Sequence, residues 1–175
     1  RYPGLKSELA HSKRDFAAPK WSVNQHNEKI DRSPQIIRIV SGRHWDDFPL
    51  QSRKILTDSE FRVDADSNRM GYRLTGPTVG IESLRAMVSE SVTFGSIQIP
   101  HGGQPIMLMA DRQTIGGYPK VAEVAGVDLH LAAQLKPGDR LRFELISLAM
   151  AQALWLKREQ EFLAISEAID RHIAL

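Results

Sequence analysis

Between Gln35 and Ser147 the chain carries short apolar runs separated by turn-forming residues, and this spacing constrains the fold more than any other feature. The runs are IIRIV, FRV, MGYRL, SIQI, IMLMA and RLRFELI. Apolar runs of this length bounded by Gly, Pro, Asn and Asp are typical of β-strands. In LKPGDRLRF, Pro137 presets the φ of a turn and Gly138 can take a positive φ, so this segment is interpreted as a structural turn. The pattern predicts a mainly β fold, either a barrel or a sandwich.

After Ser147 the period changes. Leu148, Trp155, Phe162 and Ile169 recur every seven residues, which predicts a C-terminal amphipathic helix over residues 148–175. Two interpretations of its apolar face stay open, a cover for the sheet and a coiled-coil partner. The first is favoured, because a zipper needs three or four sustained heptads.

Residues 1–34 are rich in Pro, Ser, Asn and Lys and show no periodicity, so they are interpreted as a linker or as the remnant of a preceding domain. The chain starts at Arg1 and RYPGLKSELA lacks the apolar core of a secretory signal, so we expect it to begin inside a longer protein. A length of 175 residues with 42% hydrophobic content allows one sizeable core. The expected organisation is therefore the 1–34 segment, a β domain over 35–147 and the helix.

Composition and missing motifs exclude several classes of function. Lys and Arg total 23 against 21 acidic residues, which gives no basic face for nucleic acid. The longest apolar stretch, LISLAMAQALWL, is too short to span a membrane. The chain has no cysteine and no histidines at ligand spacing, so no metal site is expected, and the cytoplasm is the default compartment. Phosphate-loop, nucleophile-elbow and zinc-protease motifs are also absent.

Polar side chains stand at the ends of three strand-like runs, where a barrel can bring them to one mouth. They are Ser67, Asn68 and Arg69 in DADSNRMGYRL, Gln98 in GSIQIPHGGQ, and Asp111, Gln113 and Thr114 in ADRQTIGGY. Arg69 offers a planar donor fork for a carboxylate, and Asp111 is the best-placed proton acceptor. The glycine pairs 102–103 and 116–117 allow positive φ or a close approach of a ligand to the backbone. Turns and satisfied rim polar groups use the same residues, so a structural role stays open.

Three segments, DSNRMGYRLTGP, GSIQIPHGGQPIMLMADRQTIGGYPKVA and LAAQLKPGDRLRF, closely resemble the biotin-dependent carboxyltransferase family. The family includes KipA-like proteins, allophanate hydrolase subunit 2, the C component of 5-oxoprolinase and the carboxyltransferase region of urea carboxylase. The resemblance runs from about Ile36 to Ile146. Family members are usually near twice this length, so the chain resembles a C-terminal half.

The resemblance implies a cyclophilin-like β-barrel over 35–147 and a site completed by another protein or by the missing N-terminal half. It implies transfer of a carboxyl group from carboxybiotin on a partner's carrier to an amide or lactam nitrogen, with ATP used indirectly through the assembly. Asp111 would then take or relay the acceptor's proton. Asn68, Arg69, Gln98, Gln104, Gln113, Thr114, Gly116 and Gly117 would bind the substrate.

Two functions stay open on the sequence alone. The first is a component, inactive by itself, of a carboxyltransferase or of an ATP-dependent amide or lactam hydrolase that pairs with a KipI-like subunit 1. The second is a non-catalytic, KipA-like regulator that opposes a kinase inhibitor. The two share a fold, so the residues favour the first without deciding the substrate.

Overall fold

A computed structural model of the chain describes residues 34–81 and 88–173, with side chains described as far as Arg171. The prediction of a linker or domain remnant over 1–34 lies outside the described residues except for Pro34. The contacts divide the chain into two compact units, and their boundary falls between residues 154 and 155. One unit holds the whole barrel, and the C-terminal helix begins in it and continues into the other.

The described residues form nine strands and three α-helices. The strands are β1 (Gln35–Ser41), β2 (Glu60–Val63), β3 (Gly71–Thr75), β4 (Glu90–Ser91), β5 (Ser96–Gln98), β6 (Ile106–Leu108), β7 (Ile115–Gly116), β8 (Lys120–Val124) and β9 (Arg140–Leu145). The helices are α1 (Leu50–Asp58), α2 (Leu129–Gln134) and α3 (Leu148–Ile173). Single 3-10 turns lie at Trp45–Asp47 and Gly126–Asp128.

Seven of these strands close into a barrel in the order β1-β8-β5-β6-β3-β2-β9. β9 closes the ring by pairing with β1 in parallel, and every other neighbouring pair is antiparallel. Closure leaves the barrel without an exposed sheet edge. The two remaining strands, β4 and β7, form a separate two-stranded ladder.

The barrel interior is filled by alternate side chains of its strands. Ile37 and Ile39 of β1 are fully buried, as is Leu141 of β9, and the rings of Phe61 and Phe143 lie 5.9 Å apart at a tilt of 44°. Each such side chain contributes about 1.5–3 kcal/mol by leaving water. All six runs identified in the sequence contribute to barrel strands, because their period of two puts one face of each strand inside.

A buried ion pair ties β1 to the 3-10 turn that follows β8. Asp128 is 1% exposed and accepts hydrogen bonds from the backbone N–H of Arg38 and from its guanidinium Nε at 2.8 Å each, and from Nη2. Two of these bonds form a bidentate fork, the strongest geometry for an arginine and a carboxylate. The pair fixes one end of the β1–β8 ladder.

The turn between α2 and β9 has the predicted chemistry. Gly138 has a φ of +91°, and Asp139 accepts a hydrogen bond from the backbone N–H of Lys136 at 3.0 Å. The N–H of Gly138 donates to the carbonyl of Val63, which ties the turn to β2. Pro137-Gly138-Asp139 is thus a structural turn.

The C-terminal helix is confirmed, but the role expected for its apolar face is not. Leu148 is 63% exposed, Trp155 44% and Phe162 51%. No side chain described in the helix, from Leu148 to Arg171, is buried. The interpretation of this face as a cover for the sheet stays a prediction.

Candidate functional site

An arginine and a carboxylate meet where β3 begins and β6 has ended. The Arg69 guanidinium donates a hydrogen bond from Nη2 to Oδ1 of Asp111 at 3.2 Å, and its Nε lies 3.0 Å from Oδ2 in the same ion pair. The backbone N–H of Asp111 donates to the carbonyl of Arg69 at 2.9 Å. The antiparallel pairing of Gly71 with Leu108 brings the two together. The side chains are 83% and 48% exposed, so this bidentate pair is open to an incoming molecule.

Asn68 shapes the turn that presents Arg69. Its side-chain Oδ1 accepts a hydrogen bond from the N–H of Met70 at 2.8 Å, while its backbone exchanges two hydrogen bonds with Gly71. An Asn side chain that bonds the N–H two residues later is the Asx-turn geometry. The predicted substrate-binding residue Asn68 is thus engaged in local structure through Oδ1.

Gln104 also uses its side chain in local structure, through hydrogen bonds to the backbone of the residue that follows β3. Its Oε1 accepts from the backbone N–H of Gly76 at 3.0 Å, and its Nε2 donates to the Gly76 carbonyl at 3.2 Å. These two hydrogen bonds clasp the residue after β3 to the segment before β6. Both ends of the amide are used, so Gln104 has little left for a ligand.

Gln98 lies outside the barrel wall, although it is only 4% exposed. Its neighbours Ile97 and Ile99 belong to the core, so the period of two turns Gln98 to the outer face. There Nε2 donates to the carbonyl of Tyr118 at 3.0 Å. Gly116 covers the amide so closely that an added Cβ would lie 2.7 Å from Nε2.

The predicted residues therefore do not converge on one mouth. Arg69 and Asp111 stand at one end of the β3–β6 ladder, whereas Gln104 stands at the opposite end with Gly76. Gln98 pairs with Ile106, at the same end of β6 as Gln104. The expectation failed because strand ends in an antiparallel barrel alternate between its two rims.

The segment from Asp111 to Gly117 passes beside β4 and connects the Arg69–Asp111 end of the barrel with the Gln98 end. Gln113, Thr114 and Gly117 are exposed. The Thr114 carbonyl accepts from the N–H of Val92, and Gly116 pairs with Glu90. Gln113 and Thr114 follow Asp111 by two and three residues, so they are the predicted donors closest to the Arg69–Asp111 pair along the chain.

The paired glycines differ in their roles. Gly103 has a φ of +71°, and Gly116 allows the close approach of Gln98. Gly102 has open space around its α-carbon, and Gly117 has only an ordinary contact with Ser89 at 3.6 Å. Gly103 therefore has the positive φ that the sequence suggested, whereas Gly116 makes room for a side chain of the protein itself.

A second polar cluster, which the sequence did not reveal, surrounds the Gln98 end and consists of His44, Glu90 and Lys120. The Nδ1 of His44 accepts from the backbone N–H of Lys120 at 3.1 Å, so Nε2 carries the proton of the neutral ring. That nitrogen lies 3.9 Å from Oε1 of Glu90, which Arg43 also approaches at 3.3 Å. These residues come from three distant parts of the chain and share no local motif, so only the fold joins them.

Two further observations complete the electrostatics of the barrel. Burial raises the pKa of the Tyr72 phenol above its usual 10.0, so this side chain of β3 stays neutral at physiological pH. Within 34–81 and 88–171, no three His, Asp or Glu side chains are grouped closely enough to hold a metal ion.

With this geometry in hand, comparison with known proteins decides the family. A family model described as carboxyltransferase domain, subdomain A and B, matches residues 5–145. The chain belongs to this family. The family assignment confirms the resemblance found in the sequence motifs, and the match includes every barrel strand.

The curated proteins similar to this chain are 5-oxoprolinase C components and urea amidolyases. The C component of the Haemophilus influenzae 5-oxoprolinase is 38% identical over 135 residues, which are 77% of this chain and 44% of that protein. The urea amidolyase of Lachancea kluyveri is 29% identical over 129 residues, 67% of this chain and 7% of that protein. The chain thus spans less than half the length of the curated relatives that it matches.

A solved structure supports the fold. The K. lactis urea amidolyase superposes with a TM-score of 0.67 at 24% identity, over 81% of this chain and 9% of that chain. The prediction of a mainly β, cyclophilin-like barrel with a C-terminal helix is confirmed. In the described part of the chain, no helix is both long and apolar enough to cross a membrane.

Proposed function

We propose that the chain is the part of a biotin-dependent carboxyltransferase, of the 5-oxoprolinase or urea amidolyase type, that contributes the Arg69–Asp111 pair to a shared site. The exposed bidentate pair carries the proposal, since it joins a carboxylate-binding cation to a potential base inside the family's matched region. The chain acts with a subunit 1 protein or with the remainder of a longer carboxyltransferase, on a small amide or lactam. We expect this assembly in the cytoplasm.

Carboxybiotin carries a carboxylate on its ureido ring. The residues at the Arg69–Asp111 end of the barrel suit this group better than those at the end with Gln98 and Gln104. Arg69 uses Nε and Nη2 on Asp111, and in the described part of the chain Nη1 has no partner. Gln113 and Thr114 are exposed donors close by in the chain. Gln98 and Gln104 donate to backbone carbonyls instead. We therefore assign carboxylate binding to Arg69, Gln113 and Thr114. Gln98 and Gln104 are assigned a structural role.

Carboxybiotin on a partner's carrier would supply the carboxyl group, and ATP would be consumed elsewhere in the assembly. Asp111 would accept the proton that the acceptor nitrogen loses and relay it to the ureido nitrogen of biotin from which the carboxyl group departs, while Arg69 binds an incoming carboxylate. The ion pair keeps the two groups in position before substrate arrives.

The test replaces Asp111 in a complete assembly, made by joining the chain to the remaining part of the H. influenzae C component. Asp111→Asn keeps the size and removes the base, so turnover is expected to fall about a hundredfold or more. Stability should change by less than about 1 kcal/mol, because the pair is solvent-exposed.

The matched control is Asp66→Asn, which changes another exposed carboxylate in the segment before β3 and should leave turnover unchanged. A folded Asp111→Asn assembly with full turnover contradicts the proposed role. Loss of the barrel's thermal transition in Asp111→Asn would show that the DRQT segment is a structural clasp.

A further inference from the structure

The turn that carries Arg69 has an unusual backbone for its length. Asn68 and Gly71 exchange two backbone hydrogen bonds of 3.2 Å each, so Arg69 and Met70 form a two-residue hairpin turn between them. Two-residue hairpins prefer turns that need a positive φ, yet neither Arg69 nor Met70 has one. Asn at the first position and Gly at the fourth suit a type I turn instead. A type I turn matches the twist of a hairpin poorly, so this turn depends on a further contact.

The side chain of Asn68 provides that contact. Its Oδ1 accepts a hydrogen bond of 2.8 Å from the N–H of Met70, which closes an Asx turn inside the hairpin turn. Both carbonyls of the turn are then bound by the segment after β6. The Arg69 carbonyl accepts from the N–H of Asp111 at 2.9 Å, and the Met70 carbonyl accepts from the N–H of Met109 at 3.0 Å. The backbone that bears the Arg69 side chain is therefore docked beside Asp111.

The Arg69 side chain requires this docking, because its own ion pair is weak. The side chain is 83% exposed, and an exposed pair contributes little, since water and salt screen it and two side chains lose freedom. A guanidinium whose backbone is already in place loses less freedom when it binds a carboxylate. The docked turn thus favours both the pair and the binding of a carboxylate.

We propose that Asn68 is a positioning residue, which acts through Arg69 and does not itself bind the substrate. Its side chain keeps the tip of the β2–β3 loop docked on the segment after β6, so that Arg69 stands beside Asp111 before a carboxylate arrives. Its part in carboxyl transfer rests on the function proposed above, whereas the docking of the turn does not.

Hydrogen exchange of single backbone amides, measured by NMR on the full chain, tests the docking. Asn68→Ala removes the acceptor for the N–H of Met70, so the N–H of Asp111 should exchange about fivefold faster, the effect of one lost hydrogen bond. Asn68→Asp keeps an acceptor oxygen and should keep the parent's rate. The N–H of Leu74, which donates to the Pro105 carbonyl at 2.9 Å, is the internal reference and should not change. Unchanged exchange at Asp111, or an equal rise at Leu74, overturns the proposal.

Ser67→Ala is the matched control, since it removes another side-chain hydrogen bond of the same loop. The Oγ of Ser67 accepts from the N–H of Arg73 at 3.1 Å, so this variant should speed exchange at Arg73. It should leave exchange at Asp111 within about twofold of the parent. Equal acceleration of Asp111 in Ser67→Ala and Asn68→Ala would show that the loop loosens as a whole, and would overturn the specific role of Asn68.

Kinetics of the complete assembly separate positioning from chemistry. With the carboxylated carrier as the varied substrate, Asn68→Ala should raise KM about fivefold and leave kcat within about twofold, because it weakens binding by Arg69 and leaves the base in place. Asn68→Asp should restore the parent KM. A fall in kcat with unchanged KM overturns the positioning role. If the parent assembly has no turnover, the proposed function fails, and the exchange rates alone decide whether Asn68 docks the turn.

Discussion

Gly116 lies against the buried amide of Gln98, and this contact sets the separation between β7 and the barrel wall. A Cβ at residue 116 would lie 2.7 Å from Nε2 of Gln98, so Gly116→Ala must displace a side chain that is 4% exposed and bonded to Tyr118. Losing that bond in a buried place costs about 1–3 kcal/mol. Chemical denaturation should show Gly116→Ala destabilised by this amount.

The neighbouring Gly117→Ala is the control, because its Cβ would meet only Ser89 Oγ at 3.6 Å and should cost a few tenths of a kcal/mol. Adding Gln98→Ala should shrink the effect of Gly116→Ala, since the obstructing amide is gone. Equal costs at 116 and 117, or full additivity with Gln98→Ala, would show that the contact does not govern this position.

At the residue scale the sequence identified candidate polar residues but could not assign their roles. Asp111 and Arg69 were recognised and do meet in space. Gln98 and Gln104 looked equally functional, yet each spends its amide on a backbone carbonyl, Tyr118 and Gly76 respectively. The sequence alone cannot distinguish a glutamine that hydrogen-bonds the backbone from one that binds a ligand, because the backbone carbonyl that it bonds is distant in sequence.

At the element scale the turn before β9 tests how much local chemistry contributes. Gly138 has a φ of +91°, where an L side chain is strained by about 1–3 kcal/mol. Gly138→Ala should lower the free energy of unfolding by this amount. Gly102→Ala is matched to it, since residue 102 has open space and no positive φ, and should be nearly neutral. Thermal melts of the two variants that coincide would contradict the strain argument.

The Arg38–Asp128 pair makes a second prediction about elements. Asp128→Ala leaves the Arg38 guanidinium without its buried carboxylate, which costs about 3–5 kcal/mol for a fully buried pair. We expect a cost of about 3 kcal/mol, at the lower end of that range, because the Arg38 side chain is 30% exposed and reaches water. Asp66→Ala, an exposed carboxylate, should change stability by less than about 0.5 kcal/mol. Urea denaturation distinguishes the two outcomes.

Strands with a clear period of two were predictable, and the others were not. The runs IIRIV and RLRFELI became β1 and β9, the parallel pair that closes the barrel. β8, KVAEV, was not singled out as a run, because its apolar residues Val121, Ala122 and Val124 do not alternate strictly with polar ones. β4 and β7 have two residues each, too few for any pattern, and exist because the tertiary fold aligns them.

At the scale of the whole molecule, barrel closure explains both the success and the failure of the sequence analysis. Short amphipathic runs predict a barrel or a sandwich, but the order β1-β8-β5-β6-β3-β2-β9 depends on contacts between distant segments. That order sends successive strand ends to opposite rims, which is why Gln104 and Asp111 lie apart. The family match over residues 5–145 supplied what periodicity could not.

The central claim is that the barrel is a working part of a carboxyltransferase, and exchange into a relative tests it most directly. The measurement is the ATP-dependent turnover of 5-oxoproline by the H. influenzae enzyme in which this chain replaces the 135-residue matching region of the C component. The account predicts turnover well above that of the assembly without the C component, lowered about a hundredfold or more by Asp111→Asn and retained by Asp66→Asn. A chimera that folds and assembles with its partner proteins, yet turns over neither 5-oxoproline nor urea, would contradict it.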